Sequence, residues 1–161
     1  MTAPDDYKNG MRRLAGGVSI VTAAGKDGWR GLTATAVTSL SADPPSMLVC
    51  VNSQLEAATA IRDAGAFGIN VLRQNHIDIA RMFAGMEGAT GPEKFKCGTW
   101  QETTAGVLIL QDALVGFECR LFETLETSTH TVFMGQVEHI HLGLDGRPLV
   151  YSEGKFATLA A

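Results

Sequence analysis

Nothing in the 161 residues forms a run of 18 apolar side chains, so no membrane-spanning helix is expected. The opening MTAPDDYKNG has neither a positive leader nor an apolar core, which makes the cytoplasm the expected compartment. Basic clusters are also missing. The densest spots, KDGWR (26–30) and KFK (94–96), are short, and the formal charge is −4. Neutralising nucleic-acid phosphates takes a patch of several cations, so DNA and RNA are not expected partners. Three cysteines at wide spacing, Cys50, Cys97 and Cys119, form no C-x-x-C, which argues against a zinc or redox pair. Cys50 and Cys119 sit in apolar runs and read as buried, inert thiols. Three nucleotide and hydrolase signatures are absent: a G-x-G-x-x-G after a strand, a G-x-x-x-x-G-K-[ST] loop and a G-x-S-x-G elbow.

What remains is the composition of an ordinary globular domain, 45% hydrophobic and 19% charged, spanning residues 1–161 as one unit. Asp5 or Asp6 is placed to cap a first helix with Tyr7, Met11 and Leu14 on one face, ended by Gly16-Gly17. GVSIVTAAG reads as a strand, KDG as a turn, and WRGLTATAVTSLS as a second strand that Asp43-Pro44-Pro45 stops. SMLVCVN is a buried strand. Ser53 and Glu56 have capping-box spacing for a helix from Gln54 to Ala64 that buries Leu55, Ala58 and Ile61. FGINVL is a short strand, and Gln74 to Ala84 a helix with Ile77, Ala80 and Phe83 inward. Residues 85–106 read as an irregular excursion. The rest is strand-dominated, with Leu144 to Arg147 as a hairpin turn. So many strands and so few helices predict a mainly β fold, a closed or nearly closed antiparallel β-barrel with peripheral helices.

Three features bear on chemistry. Period-two alternation along residues 31–41 sets Thr33, Thr35, Val37, Ser39 and Ser41 on one face. That face is either a ligand-lining row of small, hydroxyl-bearing residues or a solvated strand face. Asn52-Ser53-Gln54, at a strand-to-helix junction, is either a phosphate site at a helix start or plain capping. His130, in Ser128-Thr129-His130, is either a cleft residue that holds a nicotinamide or a surface turn histidine. His139 and His141 form H-x-H without a convincing third ligand, so no metal is expected.

Taken in order, LAGGVSIVTA, GLTATAVTSLSADPP, LVCVN, FGINVL, MFAG, FECRL, HTVFMGQV and PLVYSEG resemble the short-chain flavin reductase family, from about Met11 to Leu159. The resemblance implies an FMN-binding split barrel that dimerises. It also implies transfer of hydride from NADH or NADPH to FMN or FAD, and release of reduced flavin to a partner monooxygenase, such as a 4-hydroxyphenylacetate-type hydroxylase. Carried over by residue, it implies that Thr33, Ala34, Thr35 and Ala36 line the isoalloxazine, with Ser39 beyond them. Cys50, Val51, Asn52, Ser53 and Gln54 would meet the ring edge, ribityl chain and phosphate, with Ala57 at the border. Phe83, Ala84 and Gly85 would close over the flavin. His130 would orient the nicotinamide, which passes Tyr151, Ser152, Glu153 and Gly154. Family members frequently carry Asn-Ser at Thr35-Ala36 and Asp at Thr129. Other outcomes of the same resemblance are a tightly held flavin serving another acceptor, such as a corrinoid, and a non-enzymatic flavin- or haem-binding barrel. Cofactors carry the reactivity in hydride transfer, so the lack of a triad or metal cluster fits.

Overall fold

β-Branched residues at alternating positions set the architecture, with Val21, Val49, Val51 and Ile69 all directed into one interior. The computed structural model describes residues 1–160. The helices are α1 (Pro4–Met11), α2 (Glu56–Ala64) and α3 (Ile77–Phe83), with a 3₁₀ turn at Gly91–Lys96. The strands begin with β1 (Gly16–Gly17), β2 (Ser19–Gly25), β3 (Gly28–Ala34), β4 (Val37–Ala42), β5 (Pro45–Asn52) and β6 (Ala66–Val71). They continue with β7 (Trp100–Glu102), β8 (Leu108–Leu110), β9 (Val115–Glu126), β10 (His130–Leu142), β11 (Leu149–Ser152) and β12 (Lys155–Thr158). No helix among the described residues is long and apolar enough to cross a membrane.

Seven strands form one antiparallel sheet in the order β3-β2-β6-β9-β10-β5-β4. Its two edges are consecutive in sequence. The chain leaves β3 at Ala34, enters β4 at Val37, and the Cys50 N–H donates to the Ala36 carbonyl at 3.0 Å. The two edges are thus joined through the short step Thr35-Ala36, and the mainly β, barrel-like fold expected from the sequence is what forms. A second sheet, β1-β11-β12, and the β7-β8 pair lie beside it.

Closure explains why the single strand expected over residues 29–41 is two. Residues up to Ala34 ladder with β2, while those from Val37 ladder with β5 at the other edge, so no strand can stay straight through both. The row Thr33, Thr35, Val37, Ser39 and Ser41 is therefore not one continuous face. Asp43-Pro44 is the turn of the β4–β5 hairpin, with Pro45 opposite Ala42 and the Asp43 N–H donating to Ser41 Oγ. Residues 144–147 are not a hairpin turn either. They cross from β10, whose partners are β5 and β9, to β11, which pairs with β1 and β12. Helix α1 ends at Met11 with Arg12 at its C-cap, before Gly16-Gly17, which form β1 and do not stop the helix.

Along β2 the core divides by parity. Val21 and Ala23 face the interior with Phe67, Ile69 and Phe133; Val18 and Ile20 face outward and are covered with Leu72, Ala80, Phe83 and Leu110. The buried Asn70 points outward and fastens this cover. It accepts from the Leu110 N–H at 2.8 Å and donates to the carbonyls of Ile20 and Leu108. In α3 the buried residues are Ile79, Ala80 and Phe83, and the expected Ile77 is exposed because the helix begins only there. Residues 85–106 are less irregular than expected, holding the 3₁₀ turn and β7.

Cys119 lies inside the barrel, whereas Cys50 is only half-buried. Burial, with the neighbouring Glu118 carboxyl adding to it, pushes the Cys119 thiol up to about 12. Thiol labelling of folded protein at about pH 8 is therefore expected to spare Cys119 until denaturant is added. Equal labelling rates with and without denaturant would contradict this packing.

Candidate functional site

The β3 strand, the start of α2 and the end of α3 surround a cleft of about 380 Å³. Each wall has a local cause. Gly31 lets the Phe83 ring approach: a Cβ there would stand 2.7 Å from the ring. Thr33 Oγ1 donates to the Ala80 carbonyl at 2.6 Å, tying β3 to α3. Phe83 meets Phe95 and Trp100 edge-on or tilted, at centroid distances of 4.9 and 5.4 Å, which anchors the segment that follows it.

One end of the cleft is cationic. Arg30 Nε donates to Glu56 at 2.5 Å, and its terminal nitrogen donates to the carbonyls of Gly28 and Trp29. Lys94 Nζ reaches the Phe83 carbonyl at 3.4 Å. Burial lowers the Lys94 pKa, and Glu56 opposes that shift. The first turn of α2, Leu55 to Ala57, lines the same end with no side chain capping it. Unspent N–H groups and two cations suit a phosphate.

At the other end, Thr33 and Ala84 also line a second hollow of about 220 Å³, bounded further by Thr35, Met86, Tyr151 and Phe156. Thr35, Ala36 and Tyr151 also border a wide groove against α1. Tyr151 is held edge-on to Phe156 by the β11–β12 hairpin, whose turn residues Glu153 and Gly154 have φ of 51° and 76°.

The residues expected from the sequence thus fall into two groups. Thr33, Thr35, Ala36, Ala57, Phe83, Ala84, Gly85 and Tyr151 line these neighbouring hollows. Ala34 and Val51 turn into the barrel core instead. Ser39 is exposed on β4, and Cys50 is half-buried on β5. Asn52 and Ser53 have local duties. Asn52 Oδ1 accepts from the Gln54 N–H, and the Ser53 hydroxyl is 2.9 Å from that of Thr131. The expected capping box at Ser53 and Glu56 is therefore not made; α2 starts at Glu56, and Leu55 is exposed. Thr131 in turn meets Arg62 and Glu126, closing that end of the barrel. His130 stands opposite Asn52, exposed, with Nδ1 2.8 Å from the Thr129 hydroxyl. Ser152, Glu153 and Gly154 belong to the β11–β12 hairpin next to Tyr151. His141 Nε2 pairs with the buried Glu118 carboxylate, and among the described residues no group of three or more His, Cys, Asp or Glu is placed to hold a metal.

Arg30, Glu56 and Lys94 were not legible as site residues. Both cations fall in the two short basic spots of the sequence, too small for nucleic acid, and only the fold brings those spots to one cleft.

The family model described as "Flavin reductase like domain" matches residues 11–160. The chain belongs to that family. It is 37% identical over 153 residues to FMN reductase (NADH) RutF of Methylorubrum extorquens, covering 95% of this chain and 75% of that protein. It is also 37% identical over 150 residues to the 4-hydroxyphenylacetate 3-monooxygenase reductase component of Salmonella typhimurium, covering 93% and 88%. Among solved structures, the NADH:FAD oxidoreductase SgcE6 of Streptomyces globisporus superposes with a TM-score of 0.89 at 25% identity, covering 100% of this chain and 98% of that one. The family's flavin suits this cleft, since the cationic end fits a phosphate and the Thr35–Tyr151 end is apolar and open enough for flat rings.

Proposed function

We propose that the chain is an NAD(P)H-dependent flavin reductase that binds FMN or FAD in the cleft and delivers reduced flavin to a partner monooxygenase. The observation that carries this reading is a cleft with cations and a helix start at one end and small, apolar and aromatic residues at the other. The monooxygenase partner and the preference for NADH follow from what the relatives are named to do. A bound flavin would supply the hydride-accepting chemistry itself. The protein's share is geometric. Arg30, Lys94 and the start of α2 would hold the phosphate, and Gly31, Thr33 and Ala84 would let the ligand lie close to the backbone. Phe83 fixes the covering segment, and Tyr151 would border the nicotinamide side, with His130 orienting the nucleotide.

Anaerobic mixing of protein, FMN and NADH is expected to bleach the flavin's visible absorbance at a rate proportional to enzyme. In the same assay, His130→Ala should raise KM for the nucleotide with flavin affinity nearly unchanged. Absence of enzyme-dependent bleaching with FMN and FAD, with either nucleotide, would overturn the reading.

Helix α1 supports a homodimer. Tyr7, Met11 and Leu14 are expected to form one buried face, yet α1 buries no residue within one chain, Leu14 lies past its end, and Tyr7 and Leu14 are 64% and 67% exposed. A two-fold partner covers such a surface most simply. Sedimentation at micromolar concentration should give twice the 17.1 kDa chain mass, and a monomer would contradict this.

A further inference from the structure

The cleft's cationic end already holds an anion, and it is part of the chain. Arg30 is fixed, its side chain only 16% exposed and its terminal nitrogen bound to two backbone carbonyls. Glu56 is the opposite: its side chain is 73% exposed, and its carboxylate is bonded to Arg30. Its carboxylate sits on the first turn of α2, where a ligand phosphate would find both the guanidinium and the free N–H groups. Glu56 is the solvent-facing partner and can turn into water, while Arg30 keeps its two carbonyl partners and stays in place for another anion. A further hollow of about 240 Å³ borders the pair, lined by Lys26 and Thr59 and also by the carboxylates Asp27 and Asp63, so a displaced Glu56 turns to solvent.

We infer that Glu56 is an internal competitor for the phosphate subsite, a residue that sets how weakly the chain holds a phosphorylated flavin and so keeps it exchangeable. The inference rests on the flavin reading above and deepens it. Binding a phosphate takes Arg30 away from Glu56, and the two anions repel while both remain near the helix start. The neutral part of the ligand is indifferent to that exchange. Glu56 therefore acts on FMN and not on riboflavin, which has the same ring and ribityl chain without the phosphate. A competitor of this kind lowers affinity for a ligand that must leave after reduction.

The test is equilibrium titration of the full chain with FMN and with riboflavin, followed by flavin fluorescence, for the parent, Glu56→Gln and Glu56→Ala. The alanine variant covers the case in which glutamine keeps a hydrogen bond to Arg30. Expected is FMN binding tighter by about tenfold or more in both variants, with riboflavin shifted by less than about twofold. FMN affinity unchanged or weaker, with riboflavin still bound, overturns the inference and leaves the flavin reading standing. Equal tightening of both ligands also overturns it, because the effect would then not be on the phosphate. Failure of the parent to bind either flavin overturns the flavin reading and this inference together.

Discussion

Phe83→Ala is expected to cost about 3–5 kcal/mol of folding stability and to abolish measurable flavin capture. Phe83 is 2% exposed and central to an aromatic triad, with Phe95 and Trp100 themselves 5.1 Å apart. Its ring also fills the space left by Gly31, so truncation opens a void on the wall of the cleft. The segment from Ala84 to Lys94 then loses its anchor, and Lys94 loses its fixed approach to the Phe83 carbonyl. Urea denaturation and flavin titration of the same variant measure both effects. A Phe83→Leu variant, keeping part of the volume, should fall between. Stability within about 1 kcal/mol of the parent and unchanged flavin affinity would show that neither the triad nor the segment depends on this ring.

The double change Arg30→Met, Lys94→Met should weaken FMN binding by about a hundredfold or more, roughly 2.7 kcal/mol, with riboflavin little affected. Methionine keeps most of the aliphatic length, so the loss reports charge and hydrogen bonding. Removing Arg30 also leaves Glu56 without its partner beside the incoming phosphate, which adds to the deficit. A pH dependence accompanies it. Burial lowers the Lys94 pKa, so its ammonium loses the proton at a lower pH than a free lysine does. Affinity for FMN is therefore present below that pKa and falls as pH rises through it, earlier than for an ordinary lysine. Riboflavin affinity should stay flat over the same range, and Lys94→Met should remove this decline. A parallel alkaline loss for both ligands would assign the effect to something other than Lys94.

The sequence and the fold agree where local patterning decides the outcome. Val18 to Ala23 and Phe67 to Leu72 read as strands because their apolar residues serve two buried faces, and both are strands. Disagreement arises where distant segments set the geometry. Nothing local in GLTATAVTSLS says that Thr35 and Ala36 must leave one ladder and enter another, because the reason is the curvature of seven strands. Ser53 has good capping chemistry, but Thr131, 78 residues away, takes its hydroxyl. The site was half legible for the same reason. Small and aromatic residues at 33–36 and 83–85 stand out in the chain, as does Tyr151. The cationic end joins Arg30, Glu56 and Lys94 from three separate parts of the chain, and no spacing in the sequence relates them.

The seam at Thr35-Ala36 makes ligand concentration a determinant of how firmly the barrel is shut. The β3 and β4 edges are joined by a covalent step of two residues, Ala36 is bonded to Cys50 of β5, and Thr35 and Ala36 border the hollows. A molecule bound there would contact residues on both sides of the step and so favour the folded form. By mass action, a ligand at about 100 times its dissociation constant adds about 2.7 kcal/mol to that form. A flavin bound there would act as a fastener for the fold, tight while it is bound and slack once it departs.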